Sequence, residues 1–304
     1  MSRTVILSVP AADRWRDALA PHLPDVAFVD IEHDRPEDVE AAIVWKHPVG
    51  SLDRFPNLRL VQSFGHGVDF LAADPGLRGV PVAKLVDPGL AIAMARYVAH
   101  AVLDHSLAAR RFRAAQAERS WKPKRVAPPG IAAVLGLGAI GSEIARVLHV
   151  LGFEVRGWTR SPGDRPFAHS SGLASLPGVM AGAEAVVNVL PLTGETRGMC
   201  DAGFFAAMEE GSLFVNVGRG GTVVEEDLLV ALGAGRPGHA TLDVTVMEPL
   251  PTDSPLWTHP GVTVTPHVSG LTDLDRSASL MAANVRRALD GRTPHHLVDL
   301  ERGY

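Results

Sequence analysis

Three apolar segments in the second half of the chain each end in side chains that could take part in catalysis. Arg219 follows Phe-Val-Asn-Val-Gly, Asp243 follows Ala-Thr-Leu with Glu248 in the next loop, and His267 follows Val-Thr-Val-Thr-Pro. In a doubly wound parallel sheet, ligands bind at the carboxyl ends of the strands. A guanidinium binds a carboxylate, and an imidazole supported by a neighbouring carboxylate transfers protons near neutral pH. The segments therefore predict an anion-binding site with a proton donor.

Each of these side chains also has an ordinary structural role to weigh. Arg219 could satisfy backbone carbonyl groups, and Asp243 and Glu248 could be surface carboxylates. A single histidine such as His267 is more often structural than catalytic. The catalytic hypothesis depends on the arginine, the acid and the histidine occupying successive strand ends, where together they make one coherent site.

A glycine-rich turn between a predicted strand and a predicted helix precedes these segments. Gly136, Gly138 and Gly141 follow the run Ile-Ala-Ala-Val-Leu, with Ala139 and Ile140 inside the turn. The first glycine permits the bend, the second lets a pyrophosphate approach the backbone, and the third lets helix and strand pack closely. The free N–H groups of the helix N-terminus favour phosphate. Because both flanks have the right periodicity, the motif predicts dinucleotide binding.

The end of the next predicted strand, at 153–158, indicates which dinucleotide is preferred. Folds that prefer NAD usually place a carboxylate there, which binds the ribose 2′-hydroxyl. This chain instead has Thr159 and Arg160, and a guanidinium can chelate a 2′-phosphate through paired charge-assisted hydrogen bonds. We therefore expect NADPH to be preferred, with NADH as a usable second cofactor. The alternative is that Arg160 is a solvated surface residue.

Composition excludes several classes of protein. The chain has 304 residues, is 46% hydrophobic and carries a net charge of −5, so general nucleic-acid binding is not expected. The single cysteine, Cys200, excludes an internal disulfide and a cysteine-rich zinc site, and the scattered histidines predict no metal site. No apolar run is long enough for a membrane span, and a strand rather than a signal peptide follows the N-terminus. A cytoplasmic location is expected.

A basic segment surrounds Trp121 between residues 110 and 125. Glu118 interrupts the basic run, and prolines at 123, 128 and 129 indicate a helix end followed by a connector. This pattern favours a solvated linker or a subunit contact over a nucleic-acid or membrane surface.

Strands and helices alternate along nearly the whole chain, which predicts the α/β class with parallel sheets. A small flavodoxin-like α/β unit is expected before the glycine motif, and a Rossmann-type doubly wound unit after it. The prediction is two lobes with a cleft: a substrate domain of residues 1–97 plus 277–304, and a dinucleotide-binding domain of residues 98–276. Predicted strands lie at 4–9, 26–31, 41–45, 58–63, 82–86, 185–190, 212–217, 240–244 and 262–265, and predicted helical segments at 89–117 and 273–290.

In combination, these motifs resemble those of the D-isomer-specific 2-hydroxyacid dehydrogenases, from residue 58 to residue 270. Trp45 in Val-Trp-Lys-His-Pro and the segment Trp158-Thr-Arg160 are most similar to the glyoxylate/hydroxypyruvate reductase branch. The motifs that carry the resemblance are Gly136-Leu-Gly138-Ala-Ile-Gly141, Leu190-Pro-Leu-Thr-Gly-Glu-Thr196, Asn216-Val-Gly-Arg219-Gly, Asp243-Val with Glu248-Pro, and Thr265-Pro-His267.

The resemblance implies NADPH-dependent reduction of a small 2-oxo acid, of the glyoxylate or hydroxypyruvate type, to the D-2-hydroxy acid. Arg219 would bind the 2-oxo acid, His267 would be the proton donor and Glu248 its partner. We expect a homodimer. The expected substrate-binding residues are Trp45, Gly65, His66, Gly67 and Arg219, where the backbone amides of the Phe-Gly-His-Gly-Val-Asp segment hold the carboxylate.

The resemblance also implies a set of cofactor contacts. Asp243 would hold the nicotinamide carboxamide, and Leu190, Pro191 and Thr196 would line the cofactor. The full expected set is Gly136, Gly138, Ala139, Ile140, Gly141, Thr159, Arg160, Leu190, Pro191, Thr196, Val217, Gly218, Arg219, Asp243, His267 and Gly270.

The chain departs from the family pattern at two positions, and two alternative functions are compatible with the sequence. His66 stands where the substrate loop more often has a small residue, and Arg96 stands where the family commonly has a glutamate. One rival is an NAD-linked dehydrogenase of a larger or aromatic 2-hydroxy acid. The other is a non-catalytic, dinucleotide-sensing corepressor-like protein on the same fold. Turnover of a panel of 2-oxo acids separates the enzymes from the sensor.

Overall fold

Short apolar runs form the strands of two separate parallel sheets, and longer segments form the helices between them. The computed structural model describes residues 3–72, 74–77, 79–123 and 125–303. The chain divides into a first unit, residues 1–87 with 272–304, and a second unit, residues 88–271. The boundaries inferred from the sequence lie at 97/98 and 276/277. The helix that precedes the glycine motif thus falls wholly within the second unit.

The strands of the first unit are β1 (Arg3–Ser8), β2 (Val26–Val29), β3 (Val39–Val44), β4 (Leu60–Ser63) and β5 (Val82–Ala83). Those of the second are β6 (Ile131–Leu135), β7 (Glu154–Thr159), β8 (His169–Ser171), β9 (Ala183–Asn188), β10 (Leu213–Asn216), β11 (His239–Leu242) and β12 (Val262–Val264). The α-helices are α1 (Ala12–Leu19), α2 (Asp69–Ala72), α3 (Pro88–Ser106), α4 (Ala109–Ala117), α5 (Ala139–Val150), α6 (Leu176–Met180), α7 (Ala202–Ala206), α8 (Glu225–Gly233) and α9 (Leu274–Leu289).

The sheet of the first unit has the parallel strand order β2-β1-β3-β4-β5, which is that of flavodoxin-like folds. Both of its faces are covered, which explains why its strands are predominantly apolar. On one face Ile43 packs in a cluster with Met281 and Val285 of α9, and on the other Val61 packs in a cluster with Leu71 of α2. Asp273 caps α9 by accepting from the Arg276 N–H at 2.9 Å. The predicted terminal helix is confirmed.

The sheet of the second unit has the parallel order β12-β11-β10-β9-β6-β7-β8. The strand order reverses between β6 and β9, which is the switch point of a Rossmann-type sheet and the usual place for a ligand. The predicted fold class, α/β with a Rossmann-type and a flavodoxin-like sheet, is confirmed.

The carboxyl ends of the central strands are in register. Leu135 pairs with Asn188, Asn188 with Asn216, Asn216 with Leu242, and Leu242 with Val264. The loops after these strands therefore emerge along one edge of the second sheet. They carry Gly136, Leu190, Arg219, Asp243 and His267.

The prediction of one helical segment at 89–117 is wrong in one respect. The segment forms two helices, α3 and α4, with a break between them. Ala108 adopts a left-handed φ of 53° there. The turn brings Arg113 Nη2 to within 2.7 Å of Asp104 Oδ1. A continuous helix would separate residues this far apart in sequence by about 13 Å along its axis. The ion pair thus depends on the break, and apolar periodicity alone did not indicate it.

Candidate functional site

The histidine and the glutamate singled out in the sequence meet at the edge of the second sheet. His267 Nδ1 lies 2.9 Å from Glu248 Oε2, and Glu248 Oε1 accepts from the Thr245 N–H at 3.2 Å. The carboxylate accepts from Nδ1–H and so orients the ring. Because Nδ1 is used by Glu248, Nε2 is the nitrogen through which the ring can exchange a proton with a ligand. The His267 side chain is 49% exposed, so a ligand can reach it.

Asp243 organises the backbone on both sides of this histidine. His267 has a left-handed φ of 54°, which is uncommon for a residue other than glycine. Its N–H donates to the Asp243 carbonyl at 2.9 Å. The buried Asp243 carboxylate accepts from the N–H groups of Val268 and Ser269 at 2.8 and 2.9 Å, and from the Thr265 hydroxyl at 2.6 Å. These bonds fix the loop that presents the imidazole.

Arg219 rests on a buried network of amide and hydroxyl groups. Its backbone carbonyl accepts from Asn216 Nδ2 at 3.2 Å and from the Thr222 hydroxyl at 2.7 Å. Asn188 donates in turn to Asn216 Oδ1 and Thr222 Oγ1. The side chains of Asn188, Asn216 and Thr222 are all fully buried. Sequence reasoning missed this network, although Asn216 stands within the quoted Asn-Val-Gly-Arg motif.

The Arg219 guanidinium also has the structural role that was weighed as an alternative. Its Nη1 donates to the Gly218 carbonyl at 2.9 Å, which fixes the direction of the side chain. Arg219, which is half-buried, therefore combines a backbone contact with a position on the sheet edge that also carries Asp243 and His267.

The glycines that flank Arg219 are required for close backbone packing. A β-carbon on Gly218 would lie 2.6 Å from the Leu190 carbonyl oxygen, and one on Gly220 would lie 1.9 Å from the Thr245 carbonyl oxygen. These two glycines therefore let three strand-end loops pack backbone to backbone.

The glycine motif fits a bound dinucleotide. Gly136 has a φ of 101°, and a β-carbon on Gly141 would lie 1.7 Å from the Gly136 carbonyl oxygen, so the turn and the start of α5 require both glycines. A β-carbon on Gly138, by contrast, would meet nothing within 4 Å among the described residues. The open side of Gly138 and the N–H groups of the first turn of α5 form the cradle that a pyrophosphate needs.

Several other residues expected to bind the cofactor have side chains engaged within the protein. The buried Thr159 hydroxyl donates to the Ser161 carbonyl at 2.9 Å, and the buried Thr196 hydroxyl donates to the Pro191 carbonyl at 2.6 Å. A β-carbon on Gly270 would lie 2.7 Å from Met94 Cγ of α3. These residues shape the loops at the edge of the sheet. The Leu190 and Val217 side chains are buried.

Arg160 has an acidic partner that the sequence did not suggest. Arg160 Nη1 lies 3.2 Å from Glu195 Oε2, and the two side chains are 26% and 65% exposed. The carboxylate comes from the loop after β9 and not from the end of β7, where acidic residues are usually sought. The quoted Leu-Pro-Leu-Thr-Gly-Glu-Thr motif contained Glu195, but spacing along the chain did not relate it to Arg160.

Hydrogen bonds from Ser63 stabilise the predicted substrate loop at 65–67 in the first unit. The Ser63 hydroxyl lies 3.0 and 3.1 Å from the carbonyl oxygens of Gly65 and Gly67, and its oxygen accepts from the Gly65 N–H at 3.3 Å. One of the three amides expected to hold a carboxylate therefore has an internal acceptor. The Trp45 ring packs closely against this loop. A β-carbon on Gly65 would lie 2.6 Å from the ring.

His66, the departure noted in the substrate loop, is anchored within the first unit. Its Nε2 accepts from the Asp87 N–H at 3.2 Å, so the neutral ring carries its proton on Nδ1. The buried Asp87 carboxylate in turn pairs with Arg276 at 2.7 Å. Arg96, the other departure, is exposed on α3.

Comparison with known proteins decides the family. The model described as D-isomer specific 2-hydroxyacid dehydrogenase, NAD binding domain, matches residues 90–269. The chain belongs to the D-isomer-specific 2-hydroxyacid dehydrogenase family. Glyoxylate/hydroxypyruvate reductase A of Serratia proteamaculans is 35% identical over 307 residues, and that of Yersinia enterocolitica is 32% identical over 305 residues. Each alignment covers 96% of this chain and 96% of the relative.

Solved structures of the family share the whole fold of this dehydrogenase. A D-isomer specific 2-hydroxyacid dehydrogenase from Xanthobacter autotrophicus Py2, in complex with NADPH and MES, has a TM-score of 0.91 at 39% identity and covers 100% of this chain and 99% of its own. An NADPH-dependent glyoxylate/hydroxypyruvate reductase from Sinorhizobium meliloti, in complex with NADP and sulfate, has a TM-score of 0.89 at 31% identity, with 99% of each chain covered. The dehydrogenase is an NAD(P)-dependent oxidoreductase, and the predicted resemblance to the glyoxylate/hydroxypyruvate reductase branch is confirmed.

Other kinds of site have little support in this dehydrogenase. Cys200 is fully buried, and burial raises the pKa of its thiol, so it is not a reactive nucleophile. No group of three His, Cys, Asp or Glu side chains in the described part of the chain could hold a metal ion. Within the same residues, no helix is both long and apolar enough to cross a membrane.

Proposed function

We propose that this dehydrogenase reduces a small 2-oxo acid of the glyoxylate or hydroxypyruvate type to the D-2-hydroxy acid with NADPH, and that His267 is the proton donor. The observation that carries the proposal is the 2.9 Å contact between His267 Nδ1 and Glu248 Oε2, on the same sheet edge as Arg219. Curated relatives named glyoxylate/hydroxypyruvate reductase A and solved structures in complex with NADPH or NADP support it.

Arg219 is proposed to bind the substrate carboxylate. A planar guanidinium pairs with a carboxylate through two parallel hydrogen bonds, which fixes the orientation of the substrate as well as its charge. Its contact with the Gly218 carbonyl at 2.9 Å and the buried Asn216 and Thr222 beneath its backbone hold the guanidinium in place before substrate arrives. Orienting the ketone in this way lowers the entropic part of the barrier.

His267 is proposed to protonate the substrate carbonyl oxygen from Nε2. Glu248 stabilises the imidazolium before the transfer, and afterwards it accepts the hydrogen bond from Nδ1–H of the neutral ring. The bound nicotinamide cofactor supplies the hydride that reduces the carbonyl carbon. General acid catalysis by one positioned group contributes about 10²–10⁴-fold.

The cofactor is proposed to bind along the same edge of the second sheet. The turn from Gly136 to Gly141 would hold the pyrophosphate and Arg160 the 2′-phosphate, with Leu190, Pro191, Thr196, Val217, Gly218 and Gly270 lining the site. The Asp243 carboxylate has about four acceptor positions, of which the described donors use three. The remaining position on Oδ2 is proposed to accept from the nicotinamide carboxamide.

In the first unit, the backbone amides of the loop at 65–67 are proposed to contact the substrate, and Trp45 and His66 are proposed to restrict its size. Small 2-oxo acids are therefore preferred to bulky ones. The test is a steady-state screen of glyoxylate, hydroxypyruvate and phenylpyruvate with NADPH and NADH. Glyoxylate and hydroxypyruvate should give the highest kcat/KM. A higher kcat/KM for phenylpyruvate would contradict the size proposal, and NADPH binding without turnover of any acid would favour a sensor.

The preference for NADPH is proposed to reside in Arg160. Charge-assisted hydrogen bonds to a phosphate contribute roughly 1.5–3 kcal/mol, or about ten- to a hundredfold in affinity. NADPH should therefore exceed NADH by about that factor in kcat/KM, and Arg160→Ala should remove most of the difference by weakening NADPH alone. Glu195 competes for the same guanidinium, so Glu195→Gln should tighten NADPH binding by up to about fivefold.

The matched control for Arg160 is Arg156→Ala. Arg156 lies on the same strand, but its guanidinium contacts Glu154 and the Ala181 carbonyl. We expect this variant to keep the wild-type ratio of NADPH to NADH. Equal use of both cofactors by the wild type, or equal weakening of both by Arg160→Ala, would show that Arg160 does not select the cofactor.

We also propose that the chain forms a homodimer. Trp121 in the basic segment at 110–125 is 96% exposed, and tryptophan and arginine are enriched at protein–protein interfaces. Light scattering should give the mass of two chains, and a monomeric mass would contradict the proposal.

A further inference from the structure

A chain of hydroxyl groups leads from helix α3 to the loop that carries His267. Tyr97 on α3 is half-buried, and its hydroxyl oxygen lies 2.6 Å from Thr265 Oγ1. Thr265 Oγ1 lies 2.6 Å from Asp243 Oδ1. All three residues belong to the second unit, and both contacts are at the short end of the range for hydrogen bonds between oxygens. Neither Tyr97 nor Thr265 has a role in the proposed function.

The direction of these hydrogen bonds follows from the groups that form them. The Asp243 carboxylate only accepts, so the single hydroxyl hydrogen of Thr265 is directed to Asp243. The hydrogen between Tyr97 and Thr265 must then come from the phenol. Burial raises the pKa of Tyr97, which keeps the phenol protonated and able to donate over the working range of pH. Tyr97 is therefore the terminal donor of the chain.

The other end of the chain holds the backbone around His267. The same Asp243 carboxylate accepts from the Val268 and Ser269 N–H groups at 2.8 and 2.9 Å, directly after His267. The left-handed φ of 54° at His267 persists only while neighbouring bonds impose it, since a residue with a β-carbon ordinarily avoids this region. A change of φ there would move the imidazole away from Glu248.

We propose that Tyr97 is a positioning residue for His267. Its hydroxyl, acting through Thr265 and Asp243, holds the loop at 267–269 in the conformation that places the imidazole against Glu248. The kinetic part of this inference rests on the proposed function, but the structural part does not. Tyr97 and Thr265 are separated by 168 positions in sequence, so the link depends on the packing of α3 against the second sheet.

Amide hydrogen exchange of the full-length, ligand-free protein tests the structural part. Tyr97→Phe removes only the phenolic hydroxyl, and Thr265→Val removes the middle link. Loss of one hydrogen bond should raise the exchange rates of the Val268 and Ser269 amides by about two- to tenfold. Thr263→Val is the matched control. Thr263 lies on β12, and its hydroxyl contacts His239 of β11 and not Asp243. That control should leave both rates unchanged.

Steady-state kinetics with hydroxypyruvate and NADPH tests the consequence for catalysis. Tyr97→Phe should lower kcat by about tenfold while the KM for NADPH and the Tm stay close to wild type. Thr265→Ser keeps a hydroxyl and should recover most of the activity that Thr265→Val loses. The double variant Tyr97→Phe/Thr265→Val should be no slower than Thr265→Val alone, because both changes break one chain.

Unchanged exchange of the Val268 and Ser269 amides in Tyr97→Phe would overturn the inference. So would losses of kcat that are additive in the double variant, or a fall in kcat that follows a fall in Tm. A wild-type protein without turnover would instead contradict the proposed function, and the exchange rates alone would then decide whether Tyr97 holds the loop.

Discussion

Replacing His267 with alanine should lower kcat by about 10²–10⁴-fold and leave NADPH binding nearly unchanged. The imidazole contacts a carboxylate, at 2.9 Å from Glu248, and it is exposed enough to reach a ligand. Alanine removes the proton donor without changing the glycine turn or Arg160. Steady-state kcat and fluorescence titration with NADPH measure the two effects separately.

The left-handed backbone of His267 calls for a second variant, because alanine is strained at a φ of 54°. Asparagine tolerates this region better, so His267→Asn should keep the loop and still lose the activity. His22→Ala, at an exposed histidine of the first unit, is the control and should behave as wild type. Turnover close to wild type in both His267 variants would show that another group donates the proton.

Replacing Arg219 with lysine should lower kcat/KM for the 2-oxo acid by about 10³–10⁴-fold. Lysine keeps the positive charge but loses the planar fork, so one of two parallel hydrogen bonds to the carboxylate disappears, at a cost of roughly 1.5–3 kcal/mol. The substrate is also less well aligned, and a misplacement of about 1 Å can cost a further 10²-fold. Saturation curves with hydroxypyruvate at fixed NADPH measure the change.

Arg236→Lys is the matched control for Arg219. Arg236 Nη1 also donates to a backbone carbonyl, that of Met208 at 2.9 Å, but it precedes β11 and lies at the opposite edge of the second sheet. We expect little change in kcat/KM for that variant. If Arg219→Lys were as active as wild type, paired hydrogen bonding to the substrate carboxylate would be wrong.

The sequence was sufficient to predict those parts of the fold and site that depend on local pattern. The alternation of apolar runs and helical segments predicted two parallel sheets, and the glycine spacing predicted the strand–turn–helix unit at Gly136. The segments ending in Arg219, Asp243 and His267 were recognised because each reactive side chain follows an apolar strand directly. Register at the carboxyl ends of β6, β9, β10, β11 and β12 then brings these side chains to one edge.

Contacts between distant segments could not be predicted in the same way. The break at Ala108, the pairing of Arg160 with Glu195, and the link from Tyr97 to Thr265 each join residues that no periodicity relates. The buried amides beneath Arg219 were also missed, because asparagine in an apolar strand has no spacing that distinguishes a structural network from chance. These features follow from three-dimensional packing, which fixes which polar groups must satisfy one another.

The proposed function depends on transfer of a hydride from NADPH to the carbonyl carbon of a small 2-oxo acid, with formation of the D-2-hydroxy acid. In the most direct measurement, the wild-type protein is incubated with hydroxypyruvate and with NADPH. The NADPH carries deuterium in place of both hydrogens at nicotinamide C4. The predicted product is D-glycerate with deuterium at C2, formed in equal amount to the NADPH oxidised. Absence of NADPH oxidation, formation of L-glycerate, or glycerate without deuterium at C2 would contradict the claim.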